Sequence, residues 1–186
     1  MTYLTQGIIL RRSHYGEYDR QYAIYTADKG KVIAVAKGTK KICSKLNAHL
    51  DFFSVAELML APGSSGVERI AGAKFRDVYR GITHDLARAA AGYYFLEAAD
   101  RLTIARAPDP IIFDLIRDFF GAISFQKDQT VLVLNKYIFE LLKHLGYQPR
   151  ITANSQKQLL ADLNRLIESV CEKKMRCYEL AGKVVC

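Results

Sequence analysis

Residues Arg11 to Lys45 read RRSHYGEYDRQYAIYTADKGKVIAVAKGTKKICSK, and the fold of the chain is read outward from them. Two short runs of strand character, Gln21 to Thr26 and Lys31 to Lys37, flank Ala27-Asp28-Lys29-Gly30, where Gly30 can take the positive φ of a hairpin turn. In the second run Val32, Ala34 and Ala36 alternate with Lys31, Ile33, Val35 and Lys37, so one face is small and apolar and the other carries lysine at both ends. Between Lys29 and Lys45 stand six lysines and no acidic residue. Tyr15, Tyr18, Tyr22 and Tyr25 are interleaved with this charge. Lysine neutralises phosphate and releases counterions, and exposed rings stack on unpaired bases, so the mixture suits single-stranded or frayed nucleic acid. A solvated sheet edge on which lysine blocks edge-to-edge pairing has the same composition, and the stretch alone leaves both readings open.

The flanks extend the strand pattern. Tyr3 to Leu10 alternates loosely and predicts a first strand, with Gly7 marking a bend or bulge. Ser13 to Asp19, polar and aromatic around Gly16, predicts a loop. Lys40 to Asn47 predicts a second, basic loop; 52–60 and 67–73 predict a fourth and fifth strand across the turn Ala61-Pro62-Gly63-Ser64-Ser65-Gly66. Five strands with short connections predict a small Greek-key barrel with antiparallel neighbours, and composition does not separate one such barrel from another.

An ordered series of residues does separate them. Gly7-Ile8-Ile9-Leu10, Tyr15-Gly16-Glu17-Tyr18-Asp19-Arg20, Tyr25-Thr26 ahead of Gly30-Lys31, Ala36-Lys37-Gly38-Thr39-Lys40-Lys41 and Ser44-Lys45-Leu46 resemble the N-terminal OB-fold of the bacterial RecO recombination mediators. A weaker resemblance runs on to Leu141-Leu142-Lys143-His144-Leu145-Gly146-Tyr147-Gln148-Pro149, which is similar to the family's segment just ahead of its zinc-binding cysteines. Here Arg150 to Asn154 follows without a cysteine, so the resemblance carries no zinc over.

Beyond about Thr83 the apolar period changes from two to near 3.6. Asp85 to Leu102 is apolar almost all round and predicts a central helix. Asp109-Pro110 is a start signal, with Asp as cap and Pro in the first turn, for a helix presenting Ile112, Leu115, Ile116, Phe119, Phe120 and Ile123. Thr130 to Leu145 presents Val131, Leu134, Ile138, Leu141, Leu142 and Leu145, with Gly146 as its stop. A fourth helix follows Asn154 or Ser155, and Met175 to Cys186 is readable as its extension, as a short strand or as a frayed end. The expected class is therefore α+β: a five-stranded OB-fold β-barrel over residues 1–80, then an all-helical domain over 81–186.

Charge divides the same way. Residues 1–80 hold 13 Lys and Arg against 7 Asp and Glu, and residues 81–186 hold 14 against 12, so a polyanionic partner belongs to the first half. No uncharged run exceeds ten residues, short of the roughly 20 that span a bilayer. The apolar start precedes Arg11-Arg12, the wrong order for a secretory signal, so a cytoplasmic protein is expected. Cys43, Cys171, Cys177 and Cys186 form no C-x-x-C pair, and His14, His49, His84 and His144 share no ligand or nucleophile spacing. Neither a metal cofactor nor an enzymatic activity is expected.

Arg11, Arg12, Arg20, Lys37, Lys40, Lys41 and Lys45 are the candidate phosphate contacts, and Tyr15 with Tyr18 the candidate stacking rings. Glu17 and Asp19 are expected to pair with Arg12 or Arg20 and hold their loop, while Lys29 and Lys31, at a hairpin tip, read equally as phosphate contacts or as plain solubility charges. The resemblance implies a mediator, expected as a monomer, that binds single- and double-stranded DNA and anneals complementary strands. It also implies partnership with RecR and with the acidic, hydrophobic tail of single-stranded-DNA-binding protein in loading RecA, with Arg117 and Lys136 on the helices where a tail groove is expected. Two other readings stay open: an OB-type single-strand or RNA binder without those partners, and an interaction scaffold.

Overall fold

A computed structural model of the chain describes residues 1–39, 46, 49–63, 66–125, 129–149 and 153–185. They form five strands, β1 (Tyr3–Tyr15), β2 (Asp19–Thr26), β3 (Gly30–Ala36), β4 (Ser54–Ala61) and β5 (Glu68–Val78), then six helices, α1 (Arg80–Thr83), α2 (Leu86–Leu102), α3 (Pro110–Phe125), α4 (Thr130–His144), α5 (Gln156–Cys171) and α6 (Tyr178–Val184). Two compact units result: Met1–Val78 with Thr103–Phe113, and Tyr79–Leu102 with Asp114–Cys186.

The strands close a barrel in the order β1-β2-β3-β5-β4. The alternation in β3 is realised as written, with Val32, Ala34 and Ala36 inside, and Ile9, Tyr22, Ile24, Leu58, Leu60 and Ile70 complete the core around them. Closure departs from the all-antiparallel expectation: β3 joins β5 in parallel, through Ala34↔Glu68 and Val35↔Arg69 alone. Short connections dictate the antiparallel hairpins but not this non-sequential pair. The role expected of Gly7 is also corrected. The register shift on β1 falls between Ile9 and Arg11; Gly7 faces the interior, where a Cβ would lie 2.6 Å from Leu58 Cδ1 and 2.7 Å from Ile24 Cγ2. Crowding inside a narrow barrel is what demands glycine there. β1 runs on to Tyr15, so the expected loop at 13–19 is confined to Gly16, Glu17 and Tyr18.

The remainder of β3 lacks a β5 partner, and the segment 103–109 takes that place. Lys31 bridges Ala105 in parallel, and the Arg106 N–H donates to the Lys31 carbonyl at 2.8 Å. The Arg106 guanidinium donates to Gly66 O at 3.0 Å and to the nearly buried Glu68 carboxylate at 3.2 Å. Beside them the Tyr25 hydroxyl donates to Asp109 O, and burial together with the Asp109 charge pushes the phenol up to about 12. Gly30, at φ +64°, is where this strap lies closest, since a Cβ would stand 2.2 Å from Ala107 O. Gly30→Ala is expected to cost at least about 2 kcal/mol, the left-handed backbone term plus that collision. Gly16→Ala, at φ +60° with open space around it, should cost only the backbone term of about 1 kcal/mol. Equal melting temperatures for the two variants would contradict the strap's packing.

In the second unit α2 is buried nearly all round, and its Phe95 stacks on Phe119 of α3 at 4.2 Å, with Tyr137 of α4 edge-on to both. Asp109 caps α3 through the N–H groups of Ile111 and Ile112, as its pairing with Pro110 predicts. α4 ends at Gly146, φ +88°, whose N–H donates to Lys143 O while that of Tyr147 donates to Leu142 O, a Schellman stop. Val133 joins the α4 core, and Val131 is half-buried. Ser155 caps α5 by accepting the Gln158 N–H. The C-terminal stretch takes none of the three forms expected of it: α5 stops at the left-handed Glu172, and Tyr178–Val184 forms a separate helix.

Candidate nucleic-acid interface

Arg20, Lys37 and the Tyr15–Asp19 turn lie where β1 and β3 end and β2 begins, with Arg11 and Arg12 further back along β1. The register sets Arg12 opposite Tyr22, His14 opposite Arg20 and Tyr15 opposite Asp19, and Arg20 opposite Ala36, one residue before Lys37. Directly opposed residues share a face and successive residues along a strand change face, so the cations do not form one row. Arg12, His14 and Arg20 lie on the face that continues the barrel interior, and Arg11 and Tyr15 lie on the outer one.

Exposure and pairing sort these residues further. Lys37 is exposed and makes no ion pair among the described residues. Arg11 is exposed and Arg20 half-buried. Tyr15 and Tyr18 flank the turn, each about half exposed, at 50% and 49%. The hydrogen bond of the Tyr18 phenol to Glu17 holds its pKa above the usual value. Arg12 is committed differently: its guanidinium lies 5.2 Å over the Phe52 ring and 3.9 Å from the Asp51 carboxylate. Neither Phe52 nor Asp51 is marked by any pattern around Arg12 in sequence.

The loop-holding role expected of Asp19 is real, but the partner is not an arginine. Asp19 Oδ1 accepts the N–H of Gly38 at 2.7 Å, and Gly38 takes φ +65° to present it. One carboxylate thus ties the tyrosine turn to the exit of β3, where Lys37 stands. Lys29 is exposed, 5.9 Å over the Tyr3 ring, and Lys31 is half-buried, its carbonyl accepting the Arg106 N–H. Lys40, Lys41 and Lys45 lie outside the described residues. Among the described residues no group of His, Cys, Asp and Glu side chains is disposed to hold a metal ion.

A separate recess of about 380 Å³ opens in the helical unit at the end of α4, lined by Phe139, Lys143, Gly146, Tyr147, Gln148 and Pro149. The turn at Gly146 folds Tyr147 and Pro149 back beside Phe139, one helical turn before Lys143, so apolar rings sit next to a cation. Leu132, Lys136, Phe139 and Lys143 recur at helical spacing along α4 toward it.

A five-stranded closed barrel with the parallel β3–β5 closure, followed by helices, defines an OB-fold protein with a helical C-terminal region. Comparison of the chain with protein families narrows this. Residues 1–79 match the family described as recombination protein O N terminal, and residues 83–178 match recombination protein O C terminal. The chain belongs to the RecO family of DNA repair proteins. It is 30% identical over 162 residues to the DNA repair protein RecO of Dehalococcoides mccartyi strain BAV1, covering 86% of this chain and 63% of the relative. It is 34% identical over 149 residues to RecO of Roseiflexus sp. strain RS-1, covering 80% and 52%, and 32% identical over 148 residues to RecO of Exiguobacterium sibiricum, covering 78% and 58%. The chain therefore spans between about half and two thirds of the length of these relatives.

Proposed function

We propose that this chain works in DNA repair and recombination as a mediator without enzymatic activity, in the cytoplasm and at the nucleoid. On this reading it binds single- and double-stranded DNA, anneals complementary strands, and helps load RecA together with RecR at gaps coated by single-stranded-DNA-binding protein. The observation that carries the reading is the tied end of the barrel, which brings Arg20, Lys37 and the half-exposed Tyr15 and Tyr18 to one end of the strands, with Arg11 on the same strand as Tyr15. Cations there neutralise phosphate, which lets two strands approach, and base pairing supplies the rest. The rings add about 1 to 3 kcal/mol for each unpaired base they stack. Among the described residues no array of side chains in fixed register for base edges accompanies them, so little sequence preference is expected.

The recess beside Phe139 supports the proposed tail partner, because a tail bearing a phenyl ring and carboxylates needs an apolar floor next to a cation. Lys143→Glu and Phe139→Ala are each expected to weaken binding of a labelled acidic peptide ending in phenylalanine by about tenfold. Oligonucleotide affinity should be unchanged in both. Wild-type peptide affinity in both variants would remove the recess from this role. Equal affinity for RNA and DNA, with no peptide bound at all, would select the partner-free OB reading.

A further inference from the structure

The connection between α5 and α6 shows an unusual use of charge. Its backbone is held by carboxylates from beneath: Glu168 Oε1 accepts the Met175 N–H at 2.8 Å, and Glu97 accepts the N–H groups of Arg176 at 3.0 Å and Cys177 at 2.8 Å. Glu97 also takes Arg101 in an ion pair at 2.6 Å. Burial pushes the Glu97 carboxyl up, but the Cys177 and Arg176 N–H groups and Arg101 outweigh it and hold its pKa below the ordinary value. Met175 is buried at the centre of the turn, and Tyr94 packs against Tyr178 just beyond it.

The side chains on the outside are Lys173, Lys174 and Arg176, all exposed and none in an ion pair among the described residues. Only Glu172 and Glu179 offer exposed negative charge in the same stretch. The two carboxylates placed to neutralise this turn face inward and bind its N–H groups. Three cations are therefore displayed on a backbone that is already ordered, which lowers the entropic cost of closing on a ligand. Spaced cations on a preformed turn suit a run of phosphates better than a single small anion.

We propose that the turn 172–177 is a second phosphate-contact surface, which takes the backbone of a second nucleic-acid strand while the barrel holds the first. This rests on the DNA-binding reading above and deepens it: annealing brings two like-charged strands together on one protein, and a second set of cations adds to the phosphate neutralisation that the barrel supplies.

The test uses the full chain, a short single-stranded oligonucleotide at low salt, and the variant Lys173→Glu, Lys174→Glu, Arg176→Glu. The wild type is expected to take up two oligonucleotides, the variant one, and the variant's rate of annealing complementary strands should fall by about tenfold. The corresponding triple alanine variant should lie between them, with the melting temperature of all three chains alike. A wild type that saturates at one oligonucleotide, or a charge-reversed variant that anneals at the wild-type rate, would overturn the second surface while leaving the barrel's role intact. Binding of polyglutamate to the wild type in preference to the oligonucleotide would overturn it in favour of an acidic protein partner. No oligonucleotide bound by the wild type would overturn both.

Discussion

Arg88→Met is expected to lower the stability of the protein by about 3 kcal/mol, or roughly 6 to 12 °C in melting temperature for a chain of this size. Arg88 is 5% exposed. Its Nη1 donates to Gly81 O at 3.1 Å and to Ser124 O at 2.8 Å, so one buried cation holds α1 and the end of α3 together. The contact is close, since a Cβ on Gly81 would stand 2.8 Å from Ser124 O. Methionine fills most of the apolar volume but leaves two carbonyls without their donor, and that loss outweighs the gain from removing a buried charge whose Nε has no hydrogen-bond partner among the described residues. The α3 end also loses a cation at its negative pole. Thermal unfolding followed by circular dichroism reads the effect; an unchanged or raised melting temperature would mean that the charge costs as much as its hydrogen bonds contribute.

On the proposed function, reversing Arg11, Arg20 and Lys37 together to Glu is expected to cost about 100-fold in affinity for single-stranded DNA at moderate salt, since each reversal would remove a proposed phosphate contact and add a repulsion. Arg12→Glu should cost distinctly less. Its guanidinium is already stacked on Phe52 and near Asp51, so less of its charge is available to a ligand. Asp19→Ala should weaken binding without removing a cation, because it releases the tyrosine turn from Gly38. Anisotropy titrations on a labelled oligonucleotide read all three. An Arg12 variant as defective as the triple variant would put the strand on the Phe52 side of the barrel end.

Much of this arrangement is legible in the chain because it is local. The alternation of β3, the turn at Gly30, the Asp109 cap with Pro110 and the stop at Gly146 each depend on a few neighbouring residues, and each stands where those residues place it. The parts that were not legible are those that distant segments decide. Ala34 and Glu68 are far apart in sequence, and nothing in either marks a parallel pair. Gly7 reads as a bulge signal, but its interior crowding comes from Leu58 and Ile24 on other strands. Asp19 beside Arg20 reads as an ion pair; the backbone N–H of Gly38 is a partner that no side-chain pattern announces. The strap and the last helix are set by distant segments for the same reason: Arg106 is left-handed against β3, and Tyr178–Val184 starts where Glu97 and Glu168 hold the preceding turn.

The most direct test of the barrel's role is the salt dependence of single-stranded oligonucleotide binding, for the wild type and for the Arg11, Arg20 and Lys37 charge-reversed chain. With ~5 or 6 phosphate contacts, log K for the wild type should fall against log salt with a slope near −4, and the variant's slope should be shallower by roughly 2. Parallel slopes for the two chains, or binding that does not respond to salt, would contradict the assignment of the phosphate contacts to this end of the barrel.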